Sequence, residues 1–105
     1  MKIFKVFERA EVGTYMIELE MDFIEKICKY KTVGSYNVFP SRLLGFSYAD
    51  YLRFVREKFN ATLVGRVGTP YPIFKKKIDA DNLSNYLNQI WEQYEDKFFN
   101  ALAAE

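Results

Sequence analysis

FSYADYLRFVREKFNATLVGR, residues 46–66, packs a helix start, an amphipathic run, a helix stop and a strand into one short stretch. Ser47 is a good N-cap, and Asp50 three residues on makes a partial capping box that also suits the positive end of the helix dipole. Phe46 before the cap and Tyr51 after it have the spacing of a hydrophobic staple. Tyr48, Leu52, Val55 and Phe59 follow at helical intervals and predict one buried stripe, with Arg53, Arg56 and Glu57 off it. Asn60 is a residue that tolerates the left-handed conformation of a helix end. Residues 61–66 (ATLVGR) then predict a strand.

Downstream, residues 65–72 (GRVGTPYP) are dense in Gly and Pro and predict a loop. Residues 71–76 predict the returning strand of a hairpin, with Pro72 tolerated at a strand start or edge. Asp79 or Asp81 is the expected cap of a last helix. Its face is Leu83, Leu87, Ile90, Tyr94, Phe98 and Leu102, widened by Tyr86, Trp91 and Phe99.

Upstream, residues 2–8 (KIFKVFE) predict a strand, and Gly13 a turn. Ile17, Leu19 and Met21 alternate with Glu18, Glu20 and Asp22, which predicts a second strand over 14–20. Tyr15, Leu19, Phe23 and Ile27 also recur every four residues, so a continuous helix over 14–30 is the alternative. Asp22 with Glu25 resembles a capping box for a helix over 23–31, closed by Lys29, Lys31 and Gly34. Residues 33–45 lack a period and predict a linker, with a short strand over 36–39 as an option, because Pro40 disfavours helix at Phe39. The order is ββα, linker, αββα. The expected fold is α+β: a small antiparallel sheet made of two hairpins, packed against three helices.

At 105 residues the chain makes one domain, able to bury roughly 65% of its unfolded surface. Ten Phe and eight Tyr exceed what such a core readily hides, so some Tyr are expected at the surface or an interface. The net charge of +1 conceals a polarity. Residues 42–78 carry eight basic groups against two acidic, a balance of +6; residues 79–105 carry one against six, a balance of −5. No window approaches the ~20 apolar residues of a membrane span, and the expected location is the cytoplasm.

Much chemistry lacks its residues. There is no His, so no His base, no His-containing triad and no His metal ligand. The single Cys28 has no partner for an internal disulfide or a thiolate zinc cluster and is expected to be an inert thiol. Gly65-Arg66-Val67-Gly68-Thr69 lacks the lysine and spacing of a phosphate loop. The carboxylate pairs Glu18/Glu20 and Glu95/Asp96 are expected on solvated faces, and Asp50, Glu57 and Lys58 form no recognisable nuclease set. No cofactor and no metal is expected, and no catalytic residue is assigned.

Two binding functions remain, with a carboxylate-dependent enzyme as a third reading that has no assigned residue. The first is a protein-binding module, an inhibitor or regulatory accessory protein, with contacts at Tyr48, Tyr51, Arg53, Arg56, Arg66 and Tyr71, since exposed Tyr and Arg are interface residues. Self-association of the basic middle with the acidic last helix is a variant of it. Neutralisation of that middle by the same helix within one chain is the alternative. The second is nucleic-acid binding through Arg53, Arg56, Arg66, Lys75, Lys76 and Lys77, cations beside aromatic rings.

Overall fold

The computed structural model of the chain describes residues 2–27 and 39–104. The elements run β1 (Phe4–Glu8), β2 (Tyr15–Leu19), α1 (Met21–Ile27), α2 (Phe39–Leu44), α3 (Tyr48–Phe59), β3 (Thr62–Arg66), β4 (Thr69–Ile73) and α4 (Lys77–Ala103). The fold is α+β, and its order is the expected ββα-αββα with one further helix, α2, between the two halves.

Local signals explain α3. The Asp50 amide donates to the Ser47 hydroxyl at 3.1 Å, and Asn60 caps the other end at φ 59°, its N–H returned to the Val55 carbonyl. The buried stripe is Tyr51, Leu52 and Val55, while Tyr48 and Phe59 are half-buried. Phe46 packs its ring on Phe54, centroids 5.4 Å apart, in place of the expected staple with Tyr51.

Several boundaries move. The alternation over 14–20 does form a strand, β2, which displaces the continuous-helix alternative. Helix α1 starts at Met21, with Ile24 N–H on the Glu20 carbonyl, so Asp22 lies inside the first turn and is not the cap. Its expected end at Lys29, Lys31 and Gly34, Cys28, and residues 36–38 of the strand option over 36–39 lie outside the described residues; Phe39, where Pro40 is expected to disfavour helix, instead opens one. The second half of the expected linker is a short helix, α2, a fourth beyond the three expected. Pro40 stands in its first turn, where the missing N–H has no helical acceptor to lose. The loop expected over 65–72 shrinks to a two-residue turn, Val67-Gly68, and the strand starts at Thr69. Gly68 at φ 92° supplies the positive φ that a turn of this kind requires at its second central residue. Helix α4 begins at Lys77, before either expected cap, with Asp79 and Ala80 N–H both on the Lys76 carbonyl.

The hairpins form two separate antiparallel sheets, β1-β2 and β3-β4. One bridge joins them: Tyr15 and Phe74 exchange both backbone hydrogen bonds at 2.8 Å. Helix α4 packs on the β1–β2 hairpin, with Ala80, Leu83, Leu87 and Trp91 buried, and α3 packs on the β3–β4 hairpin. Ile90 and Tyr94, expected on that face, are half-buried and exposed.

Two polar residues interrupt the apolar stripe of α4. Asn88 Oδ1 accepts the Ile3 and Phe4 amides at 3.0 and 2.9 Å, and Asn88 Nδ2 donates to the Phe4 carbonyl at 3.0 Å. The Ser84 hydroxyl donates to the same carbonyl at 2.8 Å. The start of β1's outer edge, beside which no strand is found among the described residues, is thereby satisfied at Ile3 and Phe4 by side chains of α4. One turn further along α4, Trp91 is enclosed by Phe23, Phe39, Phe98 and Phe99, with ring centroids 5.0–5.9 Å from its own. Its indole N–H is buried, and no hydrogen-bond partner for it is found among the described residues.

Candidate binding groove

β2 and β4 touch at Tyr15–Phe74 and then part. Between them opens a groove of about 710 Å³, with Phe4, Leu83 and Phe74 at its base. β2 contributes Met16 to Leu19, β4 contributes Pro70, Tyr71 and Pro72, and the first turn of α3 contributes Tyr48 and Tyr51. Among the described residues, Glu18 is the one charged side chain along it. A volume of this size, apolar with a few polar tips, is typical of a small-ligand or short-peptide site.

Two contacts fix the groove's walls. The Tyr48 hydroxyl donates to the Pro70 carbonyl at 3.0 Å, tying α3 to the β3–β4 hairpin. Arg9 donates to the Tyr71 hydroxyl at 3.3 Å and lies 5.9 Å from the centroid of its ring. Arg9 is itself held by Glu11 at 3.5 Å and Thr14 at 3.3 Å, so the first hairpin grips the second.

Tyr51 is 4% exposed. Its expected role as a surface contact is corrected: it is the wall's inner layer, because α3 turns it to the core alongside Leu52 and Val55. Burial pushes the Tyr51 phenol well above its usual range, with the neighbouring Tyr48 adding to the rise, and burial pushes Tyr48 up as well. The sign of the linkage follows. The unfolded chain ionises Tyr51 near pH 10 while the folded chain keeps its proton, so the unfolded state binds fewer protons above pH 10. The stability contribution is complete below pH 10 and falls as pH rises beyond it, by up to about 1.4 kcal/mol per pH unit for one group. Urea unfolding at pH 8 and at pH 11 measures this. Tyr51→Phe is expected to lose less stability than wild type between the two; equal losses would exclude Tyr51 as the source.

The residues singled out from sequence separate into groups. Tyr48, Tyr51 and Tyr71 converge on the groove. Arg53 and Arg56 face solvent from α3, Arg53 in an ion pair with Asp50 at 3.6 Å. Arg66 is exposed beside the Val67-Gly68 turn. Lys75, Lys76 and Lys77 are exposed beyond the opposite end of β4, about 17 Å away along a five-residue strand. The six cations named for nucleic acid thus occupy three places and do not form one continuous track. Lys77 is paired with Asp81 at 3.2 Å. Among the described residues no α3 cation pairs with an α4 carboxylate; the polar link between these helices is the hydrogen bond from Asn60 to Asp79 at 3.3 Å.

Sequence reasoning missed Arg9, the edge of β2 and Pro70 as parts of this site. A signal was present in the Pro-Tyr-Pro spacing, which places both prolines on the same side of β4. Among the described residues no three His, Cys, Asp or Glu side chains cluster as a metal set, and no helix is long and apolar enough to cross a membrane. Comparisons of the chain with protein-family models, with curated proteins and with solved structures find no match.

Proposed function

We propose that the chain is a non-catalytic protein-binding module, an inhibitor or regulatory accessory protein that acts by occupying a partner, with the groove between β2 and β4 as its contact site. One observation carries this: an apolar groove walled by three tyrosines, with a single carboxylate along it. Tyrosine combines a large rigid contact area with a polar tip at low entropic cost, which suits recognition of protein surfaces. A cytoplasmic setting is part of the proposal, since one cysteine offers no internal disulfide.

The test is capture from a host lysate on the immobilised chain, run beside Tyr71→Ala and the double variant Arg53→Ala/Arg56→Ala. A protein retained by wild type, lost at least tenfold with Tyr71→Ala and kept by the arginine variant after nuclease treatment, is the expected result. Retention that nuclease abolishes, or that the arginine variant loses and Tyr71→Ala keeps, would replace this reading with the nucleic-acid one. That second reading rests on Arg53, Arg56, Arg66, Lys75, Lys76 and Lys77, of which Arg56, Arg66, Lys75 and Lys76 are exposed cations for which no ion pair is found among the described residues. Its signature is affinity that falls steeply with salt.

A further inference from the structure

The register of the strands shows why the groove is open. In β2 the Thr14 carbonyl accepts from Arg9 and the Glu20 amide donates to Ile3, so the even-numbered residues face β1 and the odd-numbered ones face outward. Tyr15 is the first outward residue, and Phe74 satisfies it. A continued antiparallel ladder would pair Ile17 with residue 72 and Leu19 with residue 70. Both are prolines, which have no N–H to donate. The ladder stops where donors run out, the strands diverge, and Ile17 and Leu19 keep outward backbone groups for which no partner is found among the described residues.

The groove's lining locates this edge independently. Met16 and Glu18 project to one face of the β1–β2 hairpin, Ile17 and Leu19 to the other, yet all four line the same groove. A groove meets both faces of one strand only by running along its edge.

Resting on the protein-binding reading above, we propose that the partner enters as an extended peptide segment, added as a strand to the outer edge of β2. Main-chain bonds to Ile17 and Leu19 would supply affinity, and alternate side chains specificity. Side chains on the inner face meet Leu83, Phe4 and Tyr51, so they are apolar. Those on the outer face lie beside Met16 and Glu18. Glu18 has no ion pair among the described residues, since Lys5 opposite it is paired with Glu20 at 3.4 Å. The fitting segment therefore alternates apolar residues with lysine or arginine. A single strand of about four residues fits the volume between β2 and β4, whereas the edge of a second folded copy would meet the β3–β4 hairpin.

The experiment selects a displayed random heptapeptide library on the wild-type chain and measures enriched peptides by titration. Expected are alternating apolar and basic sequences whose binding shifts and protects the Ile17 and Leu19 amides in NMR. Affinity should fall at least tenfold for Glu18→Lys, and at least tenfold when the peptide's backbone is N-methylated at alternate residues. Pro70→Thr/Pro72→Thr restores the missing donors. It should zip β4 onto β2, slow exchange at the Ile17 amide without any peptide, and lose peptide binding; Pro72→Thr alone serves if the double variant does not fold. Peptides that tolerate N-methylation, that perturb other amides, or that bind the proline variant as well as wild type would overturn strand addition, and so would an unenriched library. Concentration-dependent dimers with a protected Ile17 amide would overturn it in favour of a second copy. A captured partner lost by Tyr71→Ala but kept by the N-methylation-insensitive route would leave the protein-binding reading standing and remove only this one.

Discussion

Replacing Phe23 with alanine is expected to destabilise the fold by about 4 kcal/mol, within the range for truncating a buried aromatic. Phe23 is fully buried and its ring meets those of Phe39, Trp91, Phe98 and Phe99 at 5.0–6.2 Å. It is the residue through which α1, α2 and α4 share one cluster. Neighbours fixed on two other helices cannot collapse into the space it leaves, so the cavity cost adds to the lost burial. Against a total stability of about 5–15 kcal/mol this is a large fraction. The measurement is urea unfolding followed through Trp91, the chain's single tryptophan. The midpoint should fall by about 2–3 M for a domain of this size. A loss under about 1 kcal/mol would mean that the ring cluster repacks freely and does not hold the helices together.

Asn88→Leu is expected to cost about 3 kcal/mol for a different reason. Leucine keeps the volume and improves the hydropathy of a site that is 4% exposed. It also strips the Ile3 and Phe4 amides of their acceptor in a place water does not reach. Each buried backbone group left unpaired costs about 1–3 kcal/mol. The Phe4 carbonyl keeps the Ser84 hydroxyl, so Ser84→Ala alone should cost only about 1 kcal/mol. Together the two substitutions should exceed the sum of each alone, because the second then orphans the carbonyl as well. Thermal unfolding of the four proteins decides it. A stabilised Asn88→Leu variant would show that burial outweighs the lost polar partners.

The parts of the molecule legible in the sequence were those whose causes are local. Ser47 and Asn60 bracket α3 with their own side chain and backbone, so the capping signal and the structure coincide. Alternation around Ile17 and Leu19 fixed β2 because a half-buried strand needs period two. Helix α2 was not legible, since a six-residue helix has little intrinsic stability and depends on burying Phe39 among rings from α1 and α4. Tyr48 and Tyr71, singled out by residue type, do line the groove. Tyr51 was misplaced because three positions of α3 competed for the core and the helix phase favoured Tyr51 over Phe59. The groove itself was not legible. It follows from a pairing between Tyr15 and Phe74, and no window around either residue contains the other. Asn88 and Ser84 had a signal that went unused: two polar residues four apart on the same stripe as Ala80 and Leu87.

The bonds from Asn88 to Phe4 span 84 residues of chain. The first hairpin is complete at Leu19, so during synthesis at about 5–20 residues per second it exists for roughly 3–14 s before Asn88, whose side chain covers the start of its outer edge, has been made. For that interval β1 offers bare amides to any other nascent strand, the usual template for edge-to-edge aggregation. Lys5 and Glu8, exposed charges on that strand, are well placed to discourage such pairing until α4 arrives.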